Sequence, residues 1–219
     1  MSSSDRPRFR KSPDERREEI LASAAAIALA DGLERITLRA VAARLGVRPG
    51  LITHYYPVAE DLVIAAFVRA AAQEREQLIA AEGDPMQRMA RFAARIESPV
   101  SSSLSRLWLN ARHLSRFTPA LAAAIEVQEV LDRERLLMLI EDGVTAGVFF
   151  PERPFAACVR IFMAIDGFGA YINDLRVFTE PSYAHFVTDV AEWALRLEPG
   201  TLRAAVAALP DGPSDAYRS

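Results

Sequence analysis

The sequence predicts an all-α fold, with a small N-terminal three-helix module followed by a larger C-terminal bundle of helices. Apolar residues recur mostly at intervals of three and four, which is the period of an amphipathic helix. The alternation typical of strands is nearly absent. A capping side chain precedes a proline at Ser12-Pro13, Asp84-Pro85 and Thr118-Pro119, as at helix starts. The length of 219 residues suffices for one small module and one larger domain.

The first residues predict a disordered basic arm over 1–11, because they show no periodicity. Order begins at Ser12-Pro13-Asp14-Glu15, a capping box in which two side chains satisfy free backbone donors. The helix that follows runs to about Asp31, and Gly32 ends it.

Two short helices around a tight turn come next. Thr37 caps a helix that runs to Leu45, Gly46 allows a left-handed turn, and another helix starts close to Pro49. Together with the first helix they predict a helix-turn-helix domain over 12–58.

The remainder predicts a second helical domain over 59–209, followed by a disordered tail over 210–219. A helix starts at Asp84-Pro85. The other predicted helices are Ala59–Ala81, Ser101–Leu114, Pro119–Ala146, Pro154–Asn173 and one that starts at Thr179-Glu180-Pro181.

The charge of the chain is uneven. The formal net charge of −3 means that any nucleic-acid binding requires a local basic patch. Cys158 is the only cysteine, which excludes an intramolecular disulfide, leaves no thiol pair for zinc and fits a reducing cytoplasm. The N-terminus supplies a basic patch through Arg6, Arg8, Arg10, Lys11, Arg16 and Arg17.

A secretion signal is the alternative interpretation of the N-terminus, since a basic start precedes the apolar run Ile20–Ala30. Glu18 and Glu19 interrupt the junction and the run is rich in alanine, which favours a helix of the folded protein. No other segment approaches the roughly 20 apolar residues that span a bilayer. The sequence therefore predicts no membrane partner and a cytoplasmic location.

The segment Ile36–Tyr56 carries the strongest functional signal. Its apolar positions can close a small core with the first helix. A second helix presented in this way fits the major groove of DNA. The side chains left outside are Arg39, Arg44, Arg48, Thr53, His54 and Tyr55.

These residues resemble the N-terminal signature of the TetR family, in Thr37, Val41-Ala42, Leu45-Gly46-Val47, Tyr55-Tyr56 and Glu60-Asp61-Leu62. Gly50–Tyr56 is most similar to the BetI-like branch of betaine-pathway regulators, which Ile140–Phe150 and Ala164–Tyr171 resemble more loosely. The resemblance implies a TetR-like fold and a homodimeric transcriptional regulator. Its partners would be a palindromic double-stranded DNA operator and a small-molecule effector that releases it. Activation instead of repression stays open.

The resemblance also implies which residues contact DNA. Family members commonly have tyrosine at the position of Thr53 and lysine at that of Ala59, where the charge meets a phosphate. Losing one phosphate contact lowers affinity and reduces the salt slope by about one unit. The implicated residues are Thr37, Arg39, Arg48, Pro49, Gly50, Thr53, His54 and Tyr55.

Two C-terminal helices carry wide apolar stripes that suit an isologous four-helix interface. Inward packing is the alternative for each residue. The predicted interface residues are Ile165, Phe168, Ile172, Phe186, Val190, Trp193 and Leu197.

Polar groups among aromatic residues predict the effector pocket. Ordinary core packing is again the alternative. Asp166 lies within an apolar stripe and needs a partner, which could be an arginine, a helix end or a cationic effector. The candidate pocket residues are Phe92, Trp108, His113, Phe117, Met138, Phe162 and Asp166.

Two other classes of protein are weighed against this interpretation. An enzyme finds little support, since there is no Gly-x-Ser-x-Gly elbow, phosphate-binding glycine loop or His-Glu-x-x-His pair. We therefore expect no catalytic residue, no metal and no cofactor. A helical interaction module that has lost DNA binding is the second alternative, supported by Thr53 and Ala59 alone.

Overall fold

The computed structural model describes residues 11–99, 101–173 and 183–210. Within these ranges the chain forms ten α-helices, one 3₁₀ helix at Leu33–Arg35 and no strand. The predicted all-α class is confirmed. The α-helices are α1 Pro13–Asp31, α2 Leu38–Leu45, α3 Pro49–Tyr55, α4 Ala59–Leu78, α5 Pro85–Ile96, α6 Ser101–Ser115, α7 Pro119–Thr145, α8 Pro154–Ile172, α9 Phe186–Ala194 and α10 Thr201–Ala207.

Local capping signals set the start of α1 as predicted. The Glu15 amide donates to Ser12 Oγ over 3.2 Å, and the Ser12 amide donates to Glu15 Oε2 over 2.7 Å. At the other end, the Gly32 amide donates to Ala28 O over 3.1 Å. The capping box is therefore present with both of its reciprocal bonds.

The first hydrophobic core joins α1–α4 to the middle of the chain. Ile20, Ile52 and Phe67 are fully buried in it, together with Leu107 of α6 and Leu121 of α7. The core of the predicted 12–58 module therefore continues into helices beyond residue 58. The division into two domains stays a prediction.

The second hydrophobic core lies in the C-terminal half. It combines α5, the second half of α7, α8, α9 and α10, with Met89, Leu136 and Ile161 fully buried. The two cores therefore meet along α7, which contributes to both, and at Leu78 of α4, which packs against both.

Helix α4 ends three residues before the predicted Ala81. Ile79 has extended backbone angles and is buried in the second core. Its amide still donates to Arg75 O over 3.3 Å. The backbone therefore leaves the helical conformation where the Ile79 side chain is buried. The helical period of the sequence does not indicate this end.

Helix α10 was not predicted, because its capping group comes from another helix. The buried carboxylate of Glu192 accepts the amides of Gly200 and Leu202 over 2.7 and 2.8 Å. A cap supplied from this far along the chain leaves no local sequence signature.

Helix α8 corrects the expectation that no further segment could span a membrane. Its 19 residues are long and apolar enough to do so, and a third of them are buried. By the same test, α3 and α4 pass only as a pair with a sharp bend between them. Length and composition alone do not separate a core helix from a spanning one, so the exposed face of α8 requires its own explanation.

Three sequence predictions fall on residues outside the described ranges. They are the arm over 1–11 apart from Lys11, the helix start at Thr179-Glu180-Pro181, and the tail over 210–219 apart from Pro210.

A glycine on α7 permits a close approach that any side chain would prevent. A Cβ at Gly143 would overlap the ring of Phe149, which is buried in the second core. We expect Gly143→Ala to lower the free energy of unfolding by about 1–3 kcal/mol, because the ring must shift. Denaturant unfolding measures the change. Gly50→Ala is the helical control, since its Cβ would meet open space; equal effects of both variants would contradict the packing argument.

A buried carboxylate ties α5 to α9. Glu97 accepts the Thr188 amide over 2.8 Å and the Thr188 hydroxyl over 2.7 Å. Burial raises the pKa of Glu97 to about 7, against the opposing effect of these bonds and with a further raising effect from Asp189. His185 Nδ1 lies 3.9 Å from the carboxylate.

This pKa makes stability depend on pH. The folded protein holds the Glu97 proton more tightly than the unfolded chain, so its contribution is complete below pH 4.5 and is lost as pH rises through 7. We expect the melting temperature to fall between pH 4.5 and 7, because the free energy of unfolding decreases by on the order of 3 kcal/mol. Glu97→Gln should flatten this fall. Glu198→Gln, at an exposed site, should keep the wild-type profile; a fall of unchanged size in Glu97→Gln would contradict the assignment.

Candidate nucleic-acid interface and ligand cavity

Helices α2 and α3 meet at a tight left-handed turn. Gly46 has φ 64° and ψ 33°, a conformation that favours glycine. Its amide and that of Val47 donate to Ala43 O and Ala42 O over 3.2 and 3.0 Å. The turn therefore closes α2 and presents α3 at the surface.

The structure brings the eight predicted DNA-contacting residues together at the starts of α2 and α3 and along α3. Thr37 caps α2 by accepting the Ala40 amide over 3.0 Å. The Thr53 hydroxyl donates to Pro49 O over 3.3 Å. Tyr55 is half-buried and packs edge to face with His54. The exposed members are Thr37, Arg39, Arg48, Pro49, Gly50, Thr53 and His54.

This surface carries positive charge with no opposing partner. Arg39, Arg44 and Arg48 are exposed and form no ion pair with any residue in the described ranges. Neither α2 nor α3 has an acidic residue in its first turn. Unpaired arginines beside exposed helix starts match the requirements of phosphate binding.

The basic residues at the start of the chain are used differently. Lys11 and Arg16 each pair with Glu19 over 2.6 Å. Arg17 lies over the buried ring of Tyr56, 4.9 Å from its centroid. Of the six basic residues in the predicted patch, the three described ones are therefore engaged within the fold.

A cavity of about 490 Å³ lies between α4, α5, α6, α7 and α8. Its wall is mostly apolar, with charged side chains from four helices. The lining residues are Arg75, Leu78, Ile79, Phe92, Ile96, Ser101, Leu104, Ser105, Trp108, Leu109, Arg112, Glu129, Asp132, Arg133, Val159, Phe162, Met163, Ile165, Asp166 and Gly169.

Four of the seven predicted pocket residues line this cavity: Phe92, Trp108, Phe162 and Asp166. The other three lie outside it. His113 and Phe117 pack edge to face at the exposed end of α6, where Phe117 is 75% exposed. Met138 lies on the solvent side of α7. The sequence therefore predicted which helices line the pocket better than it predicted which face of each helix lines it.

The partner that Asp166 requires is an arginine. Arg112 Nη1 lies 2.9 Å from the Asp166 carboxylate. The same guanidinium donates to Glu129 over 3.2 Å and lies 5.6 Å from the ring centroid of Trp108. The stacked and paired Arg112 therefore connects α6, α7 and α8.

A second charged group links α4 to α7 at the cavity wall. Arg75 pairs with Asp132 and donates to Gln128 over 2.6 Å. Burial raises the pKa of Asp132, and the Arg75 guanidinium opposes that shift. The sequence did not indicate the charged lining residues, since their spacing is equally typical of a solvated helix face. They are Arg75, Arg112, Glu129, Asp132 and Arg133.

The predicted interface residues divide between surface and core. Phe186 and Trp193 are exposed and Val190 is half-buried. Phe168 is a core residue of this subunit, and Ile165 lines the cavity. Ile172 and Leu197 also pack inward against the second core.

Further large apolar side chains are exposed on α8. They are Phe155, Met163 and Tyr171, and Met163 is 68% exposed. With Phe186 and Trp193 they form what we call the α8–α9 face. No group of three or more His, Cys, Asp or Glu residues that could hold a metal occurs in the described ranges.

A short helix-turn-helix with an unpaired basic surface is the architecture of a DNA-binding regulator, and here it is joined to a helical region that contains a cavity of about 490 Å³. Residues 20–66 match the family model described as bacterial regulatory proteins, tetR family. The chain has the fold of a TetR-family transcriptional regulator. A comparison with curated proteins gives no match.

Solved structures share this fold at low sequence identity. A TetR-family regulator from Rhodococcus sp. is 19% identical with a TM-score of 0.68, covering 83% of this chain and 99% of its own. A Saccharomonospora viridis regulator in complex with choline is 18% identical with a TM-score of 0.63, and the match covers 83% of this chain and 94% of that regulator. The fatty acid degradation regulator FadR from Bacillus halodurans is 18% identical with a TM-score of 0.62, and the match covers 85% of this chain and 96% of that regulator.

Proposed function

We propose that the chain is a sequence-specific DNA-binding repressor that binds a palindromic operator as a homodimer and leaves it when a small molecule occupies the cavity. The observation that carries DNA binding is the exposed start of α3, where Arg48 and the neighbouring Arg39 and Arg44 have no acidic partner among the described residues. The cavity is the effector site. The protein works in the cytoplasm and is not an enzyme.

The BetI-like branch is part of this proposal. It rests mainly on Gly50–Tyr56, which form most of α3. This resemblance concerns the DNA-reading helix and therefore does not identify the effector.

Effector release follows from two helices shared by the cavity and the DNA-binding surface. On α4, Leu62 and Phe67 lie in the first core, whereas Arg75 lines the cavity. On α6, Trp108 lines the cavity and packs edge to face on Phe67, at 5.2 Å between centroids. A ligand that displaces these helices changes the position of α3.

Helix α6 also holds the end of α1 directly. The Arg106 guanidinium donates to Leu29 O and Ala30 O over 3.1 and 3.2 Å. A shift of α6 therefore moves α1 as well. In a dimer whose two α3 helices must match half-sites about 34 Å apart or at a larger spacing, such shifts weaken binding.

The homodimer is proposed from the α8–α9 face. Trp193 is 64% exposed and lies under the guanidinium of Arg160, 5.0 Å from the ring centroid. Exposed aromatic, Met and Arg side chains on two packed helices have the composition of an interface core. Isologous packing of this face covers them in both subunits.

DNA binding is tested by titrating the dimer with the intergenic DNA that flanks its own gene, over a range of salt, against unrelated competitor. We expect specific, salt-sensitive binding. Arg48→Ala should weaken it and reduce the salt slope by about one unit per subunit. Ala59→Lys should strengthen binding and steepen the slope by a similar amount, since it restores a cation at the start of α4.

Arg91→Ala is the matched control, because Arg91 is exposed on α5. Equal losses in Arg48→Ala and Arg91→Ala would contradict the proposed surface. Failure to bind any DNA at low salt, together with capture of a protein partner, would favour the interaction module instead.

The dimer is tested by sedimentation of two variants. Trp193→Asp removes a large exposed aromatic side chain from the proposed interface and places a charge there, and should produce monomers at micromolar concentration, since removing that charge from water costs several kcal/mol. Phe117→Asp alters an equally exposed aromatic outside the α8–α9 face and should remain dimeric. A monomeric wild-type protein, or a dimeric Trp193→Asp, would refute this face.

A further inference from the structure

The acidic groups of the cavity are already paired with arginine. Asp166 accepts from Arg112 over 2.9 Å, and Asp132 accepts from Arg75. Glu129 also accepts from Arg112, over 3.2 Å. A cationic ligand would have to displace an arginine to reach any of these three carboxylates.

The tryptophan of the cavity is also engaged. The Arg112 guanidinium lies 5.6 Å from the ring centroid of Trp108, within the range of a cation–π contact. A quaternary ammonium group needs aromatic faces free of other cations. Among the described lining residues every carboxylate is therefore paired with an arginine and the tryptophan already contacts a cation, which leaves only the rings of Phe92 and Phe162 for a positively charged ligand.

One cation in the lining remains without a partner. Arg133 is half-buried at the cavity wall, and its guanidinium forms no hydrogen bond or ion pair with any residue in the described ranges. The charged residues close to Arg133 in the sequence do have partners. Asp132 pairs with Arg75, and Arg135 lies 3.5 Å from Glu76. A partly desolvated cation without a partner is costly, and an anionic ligand group offsets that cost.

The rest of the wall accommodates an apolar body. The apolar lining includes Phe92 and Ile96 of α5, Leu104 of α6, and Phe162 and Ile165 of α8. The volume of about 490 Å³ lies in the range of small-molecule sites. An apolar wall with a single unpaired guanidinium suits a ligand that has one anionic end.

We propose that the effector is an amphipathic organic anion, whose carboxylate binds Arg133 and whose apolar chain or ring fills the space between α5, α6 and α8. The inference deepens the proposed function by naming the ligand class of the same cavity. It does not depend on how DNA is bound.

Calorimetry on the full-length protein tests the class directly. The anionic probes are octanoate and phenylbutyrate, and each is compared with its neutral amide; octyltrimethylammonium is the cationic probe. We expect at least one carboxylate to bind more than tenfold more tightly than its amide and than the ammonium probe. The inference is overturned if neither carboxylate exceeds its amide, or if the ammonium probe binds most tightly.

Three variants assign the contact. Arg133→Gln should weaken binding of the carboxylate about tenfold to a hundredfold and leave the amide unchanged, as expected for loss of a charge-assisted bond. Arg133→Lys should retain part of the preference because it keeps the charge. Arg116→Gln, at an exposed site outside the cavity lining, should behave as wild type. Unchanged carboxylate binding by a folded Arg133→Gln would refute the role of Arg133.

The same protein preparation is titrated with flanking DNA. Carboxylate binding that depends on Arg133, in a protein that binds no DNA, would refute the proposed function and support the ligand class. Specific DNA binding without a carboxylate preference would refute the ligand class alone.

Discussion

The proposed DNA-binding surface depends on the first core beneath it, to which α4 and α6 contribute. Helices α2 and α3 contain eight and seven residues, fewer than the roughly 12–15 that an isolated helix needs in water. Their stability therefore comes from burying Val41 and Ile52 in the first core. Because that core includes Phe67 of α4 and Leu107 of α6, the orientation of α3 cannot be independent of those two helices.

This dependence joins the two candidate sites physically. Trp108 connects them, since it lines the cavity and packs against the first core that supports α2 and α3. The pair Arg75–Asp132 fixes the far end of α4 to α7 at the same wall. A ligand in the cavity would therefore contact Trp108, whose ring packs on Phe67 of the first core, in which Ile52 of α3 is also buried. Close packing converts a small displacement at such a side chain into movement of the whole helix.

The sequence predicts a helix boundary when the interaction that sets the boundary lies within a few residues of it. The caps at Ser12 and Thr37 act within three residues, so the starts of α1 and α2 could be predicted. The end of α4 and the start of α10 could not, because burial of Ile79 and capping by Glu192 are tertiary effects. The proposed DNA-binding surface is contiguous in sequence. The cavity draws on five helices, and helical periodicity cannot tell which apolar face turns toward it.

The length and composition of α8 are compatible with a core helix, an interface helix or a membrane span. Burial of Ile161 and Phe168 accounts for one face, and exposure of Met163 leaves another uncovered. Two charged residues lie in the middle of the helix. Asp166 pairs with Arg112 within the subunit, and Arg160 stacks on Trp193 at the exposed face. A mid-helix guanidinium is costly in hydrocarbon, whereas stacked arginine and tryptophan are common at protein interfaces. The exposed face of α8 is therefore better matched to a second copy of the chain than to lipid.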